Sequence, residues 1–413
     1  MACALNEYSA AGSGVIGNCT TCSAGKYCLR GSAGEIDCPA GFYCPSAQNY
    51  PVPCPKGTFR ATVGAASVSD CTACTAGSVC SLTGLTAPND ECDAGYYCPA
   101  GTAFSRTVEP ADGNAVTSSA VLPTGVTRAI ECPAGHYCPA GSGTATVCPA
   151  GTYNSVNGQR VLSACLSCPA GKYCDGTANT QPDGDCTAGH FCPAGSSSAT
   201  QNAAPAGSFS GAGASSSTLC YPGTFQTSTG QSSCLTCTAG NYCPGFGSAA
   251  ETTCTAGNYC PAGSNKPTPC QAGTFTTSTG LTAQSECTPC TAGKYCESHG
   301  LTAVTGDCAA GYFCEANAIS SMPSNDSSNY EFGPCKRGHY CPTQTGAANP
   351  CPNGTYFDGL GADALADCKP CLPGQYCAGT GNEVPDGDCT AGYYCPGGDN
   401  STTPSTECAA GEY

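Results

Sequence analysis

The chain has 413 residues, of which 41 are cysteine, 55 glycine and 32 proline; a tenth are charged, none is tryptophan, and the formal net charge is −16. Cysteine at about a tenth of the residues marks a disulfide scaffold. The negative charge argues against nucleic acid or an anionic membrane surface as partner, because both call for a basic stripe. Apolar runs between cysteines are too short to offset a backbone ordering cost of ~1–2 kcal/mol per residue. Crosslinks must supply the difference, at ~2–4 kcal/mol for each disulfide. No apolar run approaches the ~20 residues of a membrane-spanning helix.

In chain order, one phrase dominates: Cys-x-x-Gly-x-aromatic-Cys. It occurs fourteen times, as in Cys22-Ser23-Ala24-Gly25-Lys26-Tyr27-Cys28, Cys38 through Cys44 and Cys389 through Cys395. Glycine is present in every copy, and the aromatic is replaced once, by Val79. A fixed period of cysteine, glycine and aromatic describes a tandem array in which each module touches mainly its neighbours. The phrases sit in larger units that open with Cys-x-x-Gly-Thr-[Phe/Tyr], run to a Cys-x-x-Cys, and then give two or three phrases.

Six units follow. They are 1–53, 54–147 with an inserted loop at 99–131, 148–219 with a Ser/Thr-rich loop at 193–219, 220–269, 270–350 with a loop at 315–334, and 351–413. Cysteine numbers are even in the first five (six, eight, six, six and eight) and seven in the last. That last unit stops at Cys408-Ala409-Ala410-Gly411-Glu412-Tyr413, one residue short of a complete phrase. The expectation is a truncated repeat that continues beyond Tyr413, with Met1 a processing boundary in a longer secreted precursor.

Residue types forecast the local shape. Cys-Pro-Ala-Gly suits a type I turn with proline at the second position, and the aromatic and following cysteine then run as a short extended piece. An aromatic beside a half-cystine covers the sulfurs. The fold class is therefore small disulfide-rich modules in tandem, built from short β-hairpins and turns with little helix, forming an elongated rod or solenoid-like array. Six cysteines allow 15 pairings. The eight-cysteine units differ from the others by a whole added phrase (Cys132–Cys138; Cys335–Cys341), which favours local bonds. Closure of each opening loop is the pairing expected first: Cys54 with Cys71, Cys148 with Cys165, Cys220 with Cys234, Cys270 with Cys287 and Cys351 with Cys368.

The openings, such as Cys270-Gln271-Ala272-Gly273-Thr274-Phe275, and the following Cys287-Thr288-Pro289-Cys290-Thr291-Ala292-Gly293-Lys294-Tyr295, resemble the ephrin-receptor-like cysteine-rich repeat. That module is related in style to epidermal-growth-factor-like (EGF-like) and tumour-necrosis-factor-receptor modules. The resemblance covers nearly the whole chain. It implies an extracellular, disulfide-bonded, elongated array like those in protist and algal surface proteins, with no catalytic residues to carry over.

The Cys-x-x-Cys pairs (19/22, 71/74, 165/168, 234/237, 287/290, 368/371) have the spacing of zinc half-sites, but disulfides are the expected state in an oxidising compartment. His136, His190 and His339 occupy the free slot before the aromatic, a slot that also takes Lys26, Lys172 and Asn241 and so is expected to face solvent; His299 has no identifiable partner. Pro182-Asp183-Gly184-Asp185-Cys186 recurs as Pro385-Asp386-Gly387-Asp388-Cys389. It reads as a polar turn, with calcium, which takes several oxygen ligands, as the one cofactor considered. N-glycosylation sequons begin at Asn18, Asn325, Asn353 and Asn400, and the Ser/Thr-rich connections suit O-linked glycans.

The function expected is a secreted structural glycoprotein that forms or decorates an extracellular filament or cell-surface coat. Its partner would be further copies of itself, and it would not be an enzyme. The alternative is the stalk of a membrane receptor or adhesin ectodomain.

Overall fold

The computed structural model describes Cys3, residues 7–9, 19–46, 50–106, 127–324 and 332–404. Among these residues there is no α-helix; the regular structure is 21 two-stranded ribbons, twenty antiparallel and one parallel, with four single 3₁₀ turns. Two compact units divide the chain, Met1–Ala204 with Ser210–Ser217, and Pro205–Phe209 with Thr218–Tyr413. Each is built from the same hairpin.

The hairpin follows from the phrase. In Cys38-Pro39-Ala40-Gly41-Phe42-Tyr43-Cys44, the Phe42 N–H donates to the Pro39 carbonyl at 3.2 Å, and Gly41 has φ +85°. The turn is thus shifted by one residue from the expected type I turn, with proline at its first position. A positive φ at the third turn position is the type II requirement, and glycine meets it without a Cβ penalty. Phe42–Tyr43 then pairs with Val52–Pro53 in the register Phe42↔Pro53, Tyr43↔Val52. The same arrangement recurs at Lys26–Tyr27 with Ile36–Asp37, Lys172–Tyr173 with Gly184–Asp185, and Asn258–Tyr259 with Thr268–Pro269.

Backbone hydrogen bonds tie each hairpin to those after it. In the first unit, the Gly25 carbonyl accepts from Cys38 N–H at 3.0 Å, the Gly25 N–H donates to the Cys44 carbonyl at 2.9 Å, and Cys44 N–H donates to Ala65 at 2.9 Å. In the second unit, Gly240 makes the same pair of bonds with Cys254 and Cys260, and Cys260 N–H donates to Leu281. A rung is therefore bonded to its successor and also to the connector beyond it. The unit openings are the same rung: Gly57 in Cys54-Pro55-Lys56-Gly57-Thr58-Phe59 bonds to Cys74 and Cys80 as the phrase glycines do.

The interior is sulfur. The buried apolar residues are mostly half-cystines, many fully buried, with a few alanines, Val79 and Leu281 among them. The aromatic of one rung lies on the disulfide of the next. Phe225 packs with Cys237 and Cys243, Phe313 with Cys335 and Cys341, and Tyr356 with Cys371 and Cys377. Among the described residues each of these apolar clusters is small and separate from the others.

The three stretches expected as loops are partly regular. Thr102–Phe104 pairs in parallel with Thr127–Arg128, and Phe332–Pro334 pairs with Tyr312–Cys314. The Ser/Thr-rich loop expected at 193–219 contains three ribbon strands: Asn202–Ala203, paired with His190–Phe191, and Ser208–Phe209 and Thr218–Leu219, paired with one another. Pattern overrides composition there, because Gly207 and Phe209 stand at phrase positions.

Candidate functional site

The candidate site is the crosslink framework. Every cysteine among the described residues is in one of 20 disulfides. Fourteen join the ends of a phrase, six residues apart, with Cα atoms 5.8–6.6 Å apart. The other six close longer loops: Cys3–Cys19, Cys54–Cys71, Cys148–Cys165, Cys220–Cys234, Cys270–Cys287 and Cys351–Cys368. The two cysteines of a Cys-x-x-Cys never bond each other. Cys71 reaches back to Cys54 and Cys74 reaches forward to Cys80, so in this state neither sulfur is a free thiolate that could ligate zinc or act as a nucleophile.

Loop length has a structural meaning. Four loops have a sequence separation of 17, and Cys220–Cys234 has 14. The three extra residues match a single 3₁₀ turn before the closing cysteine: Val68–Asp70, Leu162–Ala164, Gln284–Glu286 and Leu365–Asp367. An acid fixes three of these turns. Asp70 Oδ2 accepts from the Ala66 and Ser67 N–H groups at 2.7 and 2.9 Å, and Asp367 Oδ2 from Asp363 and Ala364 at 2.9 and 3.0 Å. Those backbone donors hold both carboxyls below the usual aspartate range; Thr282 does the same for Glu286 through its hydroxyl and its N–H.

The paired Asp-Gly-Asp motifs are occupied within the ribbon. Asp183 Oδ2 accepts from Asp175 N–H at 2.6 Å, and Asp386 Oδ2 from Ala378 N–H at 2.6 Å. Gly184 lies opposite Tyr173, where a Cβ would stand 3.4 Å from the ring. Asp185 pairs with Lys172 across the ribbon at 2.7 Å. Lys26–Asp37 (3.0 Å) and Lys294–Asp307 repeat that cross-strand ion pair, and Asp37 holds the Lys26 ammonium above its ordinary range. Among the described residues no group of three or more His, Cys, Asp or Glu is placed to hold a metal ion.

The slot histidines are half-buried. His136 Nδ1 lies 3.1 Å from the Ala134 carbonyl and His339 Nδ1 2.9 Å from that of Arg337, so each ring folds back on its own turn where an open, solvent-facing slot was expected. His190 Nδ1 is buried with no partner; His299 is exposed. Of the sequons, Asn353 and Asn400 are exposed, while Asn18 and Asn325 lie outside the described residues. In the second unit a cleft of about 280 Å³ is lined by Asn317, Ile319, Ser320, Met322 and Pro323 among others, and holds no acid, base or thiol. Among the described residues no helix is long and apolar enough to cross a membrane.

Fold and crosslinks make this a cysteine-rich repeat protein of tandem small disulfide-bonded modules. No protein-family model matches the chain, and no curated protein matches it either.

One functional feature escaped the sequence reading: the identity of openings and phrases as one rung. Arg60, Asn154, Gln226, Thr276 and Phe357 stand where a phrase has its second cysteine, and each carbonyl accepts the incoming glycine N–H just as a cysteine carbonyl does. The shared Cys-x-x-Gly-x-aromatic spacing was the signal available.

Proposed function

We propose that this chain is a secreted structural glycoprotein that forms or decorates an extracellular filament or cell-surface coat. The carrying observation is that each of the fourteen cysteine phrases is closed by its own disulfide, and that the rungs are hydrogen-bonded, backbone to backbone, to the next rung and the connector after it. Such a module gains its neighbours' support without a large apolar core. The disulfide density supports an oxidising, extracellular setting. Exposed Asn353 and Asn400 would carry glycans, and with the net charge of −16 they would keep the surface hydrated. The ephrin-receptor-like and EGF-like likeness of the repeat belongs to this reading, as does self-association as the partner chemistry.

Electron microscopy of native material labelled with an antibody against the chain tests it. Label running along filaments or a continuous coat is expected. Label only at the cell membrane beneath globular heads would favour the receptor or adhesin stalk, and a dispersed monomer under all conditions would overturn the filament reading.

A further inference from the structure

Between Cys192 and Cys220 the phrase is written once without sulfur: Ala204-Pro205-Ala206-Gly207-Ser208-Phe209-Ser210. Ala204 and Ser210 hold the positions of the two half-cystines. The backbone marks of a rung are all present. Ala204 N–H donates to the Gly189 carbonyl at 2.9 Å, and Gly189 N–H to the Ser210 carbonyl at 2.7 Å. Gly207 has φ +78°, and its N–H donates to Gln226 at 2.7 Å. Both stand-ins are as buried as cysteines elsewhere, Ala204 at 0% and Ser210 at 1% exposure. Nothing joins them, and the buried Ser210 hydroxyl has no hydrogen-bond partner.

We propose that this rung is a built-in opening point, the place where the chain unfolds locally before any disulfide-closed rung does. Two effects act together. The rung lacks the loop closure that restrains its neighbours in the open state, and its closed state carries an unmet buried hydroxyl that water would satisfy on opening. The following Gly211-Ala212-Gly213-Ala214-Ser215-Ser216-Ser217 has no bulky side chain to hold the strands together. Flanking rungs stay shut, because Cys186–Cys192 and Cys220–Cys234 are bonded. The opened segment, 204–219, is then where a protease or a pulling force acts first, since local opening sets such access.

Amide hydrogen exchange on the oxidised full chain tests this. Gly207 and Ser208 should exchange at least ~30-fold faster than the equivalent Gly171 and Lys172 or Gly240 and Asn241, the factor that one missing disulfide supplies. Equal protection overturns the proposal, with no variant needed. In the full chain carrying Ala204→Cys and Ser210→Cys, the two new sulfurs should pair with each other and Gly207 exchange should fall to its neighbours' rate. Pairing without slower exchange would also overturn it.

Discussion

Phrase and connector glycines both sit at positive φ, but most phrase glycines are also pinned by space, Gly374 and Gly392 being the exceptions. A Cβ on Gly41 would lie 2.2 Å from the Gly84 carbonyl oxygen, and one on Gly135 2.2 Å from that of Ala178. In the connector, Gly64 meets nothing within 4 Å, and the same position is filled by Ala178 (φ +61°), Asn317 (+69°) and Gln344 (+66°). Two costs apply to the phrase glycine, left-handed strain of about 1–2 kcal/mol and overpacking of about 1–3 kcal/mol; the connector bears only the strain. Gly135→Ala should therefore destabilise by ~3 kcal/mol and Gly64→Ala by ~1 kcal/mol, read from denaturant unfolding of the oxidised protein. Equal losses would show that close backbone approach is not what selects the phrase glycine. Its presence in all fourteen phrases was legible in the sequence, but its cause was not. The opposing carbonyl belongs to a residue some 40 positions away, and no local spacing reveals that.

At the level of the element, the opening loops are closed rings, and in three of them an acid locks the 3₁₀ turn. Asp70 and Asp367 accept two backbone N–H bonds each, and their carboxyls are depressed in the folded state. A depressed carboxyl contributes stability above its unfolded value, near ~3.9, and loses it as pH falls through the lower folded value. The Ala66 and Ser67 amide proton shifts should accordingly titrate with a midpoint below ~3.9, and Asp70→Asn should abolish the transition. A midpoint at the ordinary value would remove the lock. Ribbons, turns and the scarcity of helix were readable from cysteine, glycine and aromatic spacing. The one-residue shift of the turn was not, because proline is favourable at the second position of a type I turn and the sequence alone gave no reason to move it to the first. The Asp-Gly-Asp motif was legible as a polar turn, but its partners, the Asp175 N–H for Asp183 and Lys172 for Asp185, were not.

At the scale of the whole molecule, backbone bonds couple a rung to the next one and to the connector beyond it. Among the described residues the apolar clusters are small and separate, so heat should not melt the protein as one unit. In scanning calorimetry of the oxidised protein, the measured enthalpy should exceed the van't Hoff enthalpy, as for repeat arrays whose cooperativity breaks down. Equality of the two would mean that the rungs melt together. The disulfide-rich architecture was visible from composition, whereas the rung at 204–210 was hidden because Ala204 and Ser210 replace its two cysteines beside a run of small residues. A different consequence follows from the ladder of glycine and cysteine backbone bonds. Every rung presents the same donors and acceptors to whatever rung comes next, so duplication or deletion of one phrase by recombination leaves cut ends that still match. The eight-cysteine stretches carry such an added copy, and chain length is thereby free to drift among descendants of one gene without any loss of foldedness.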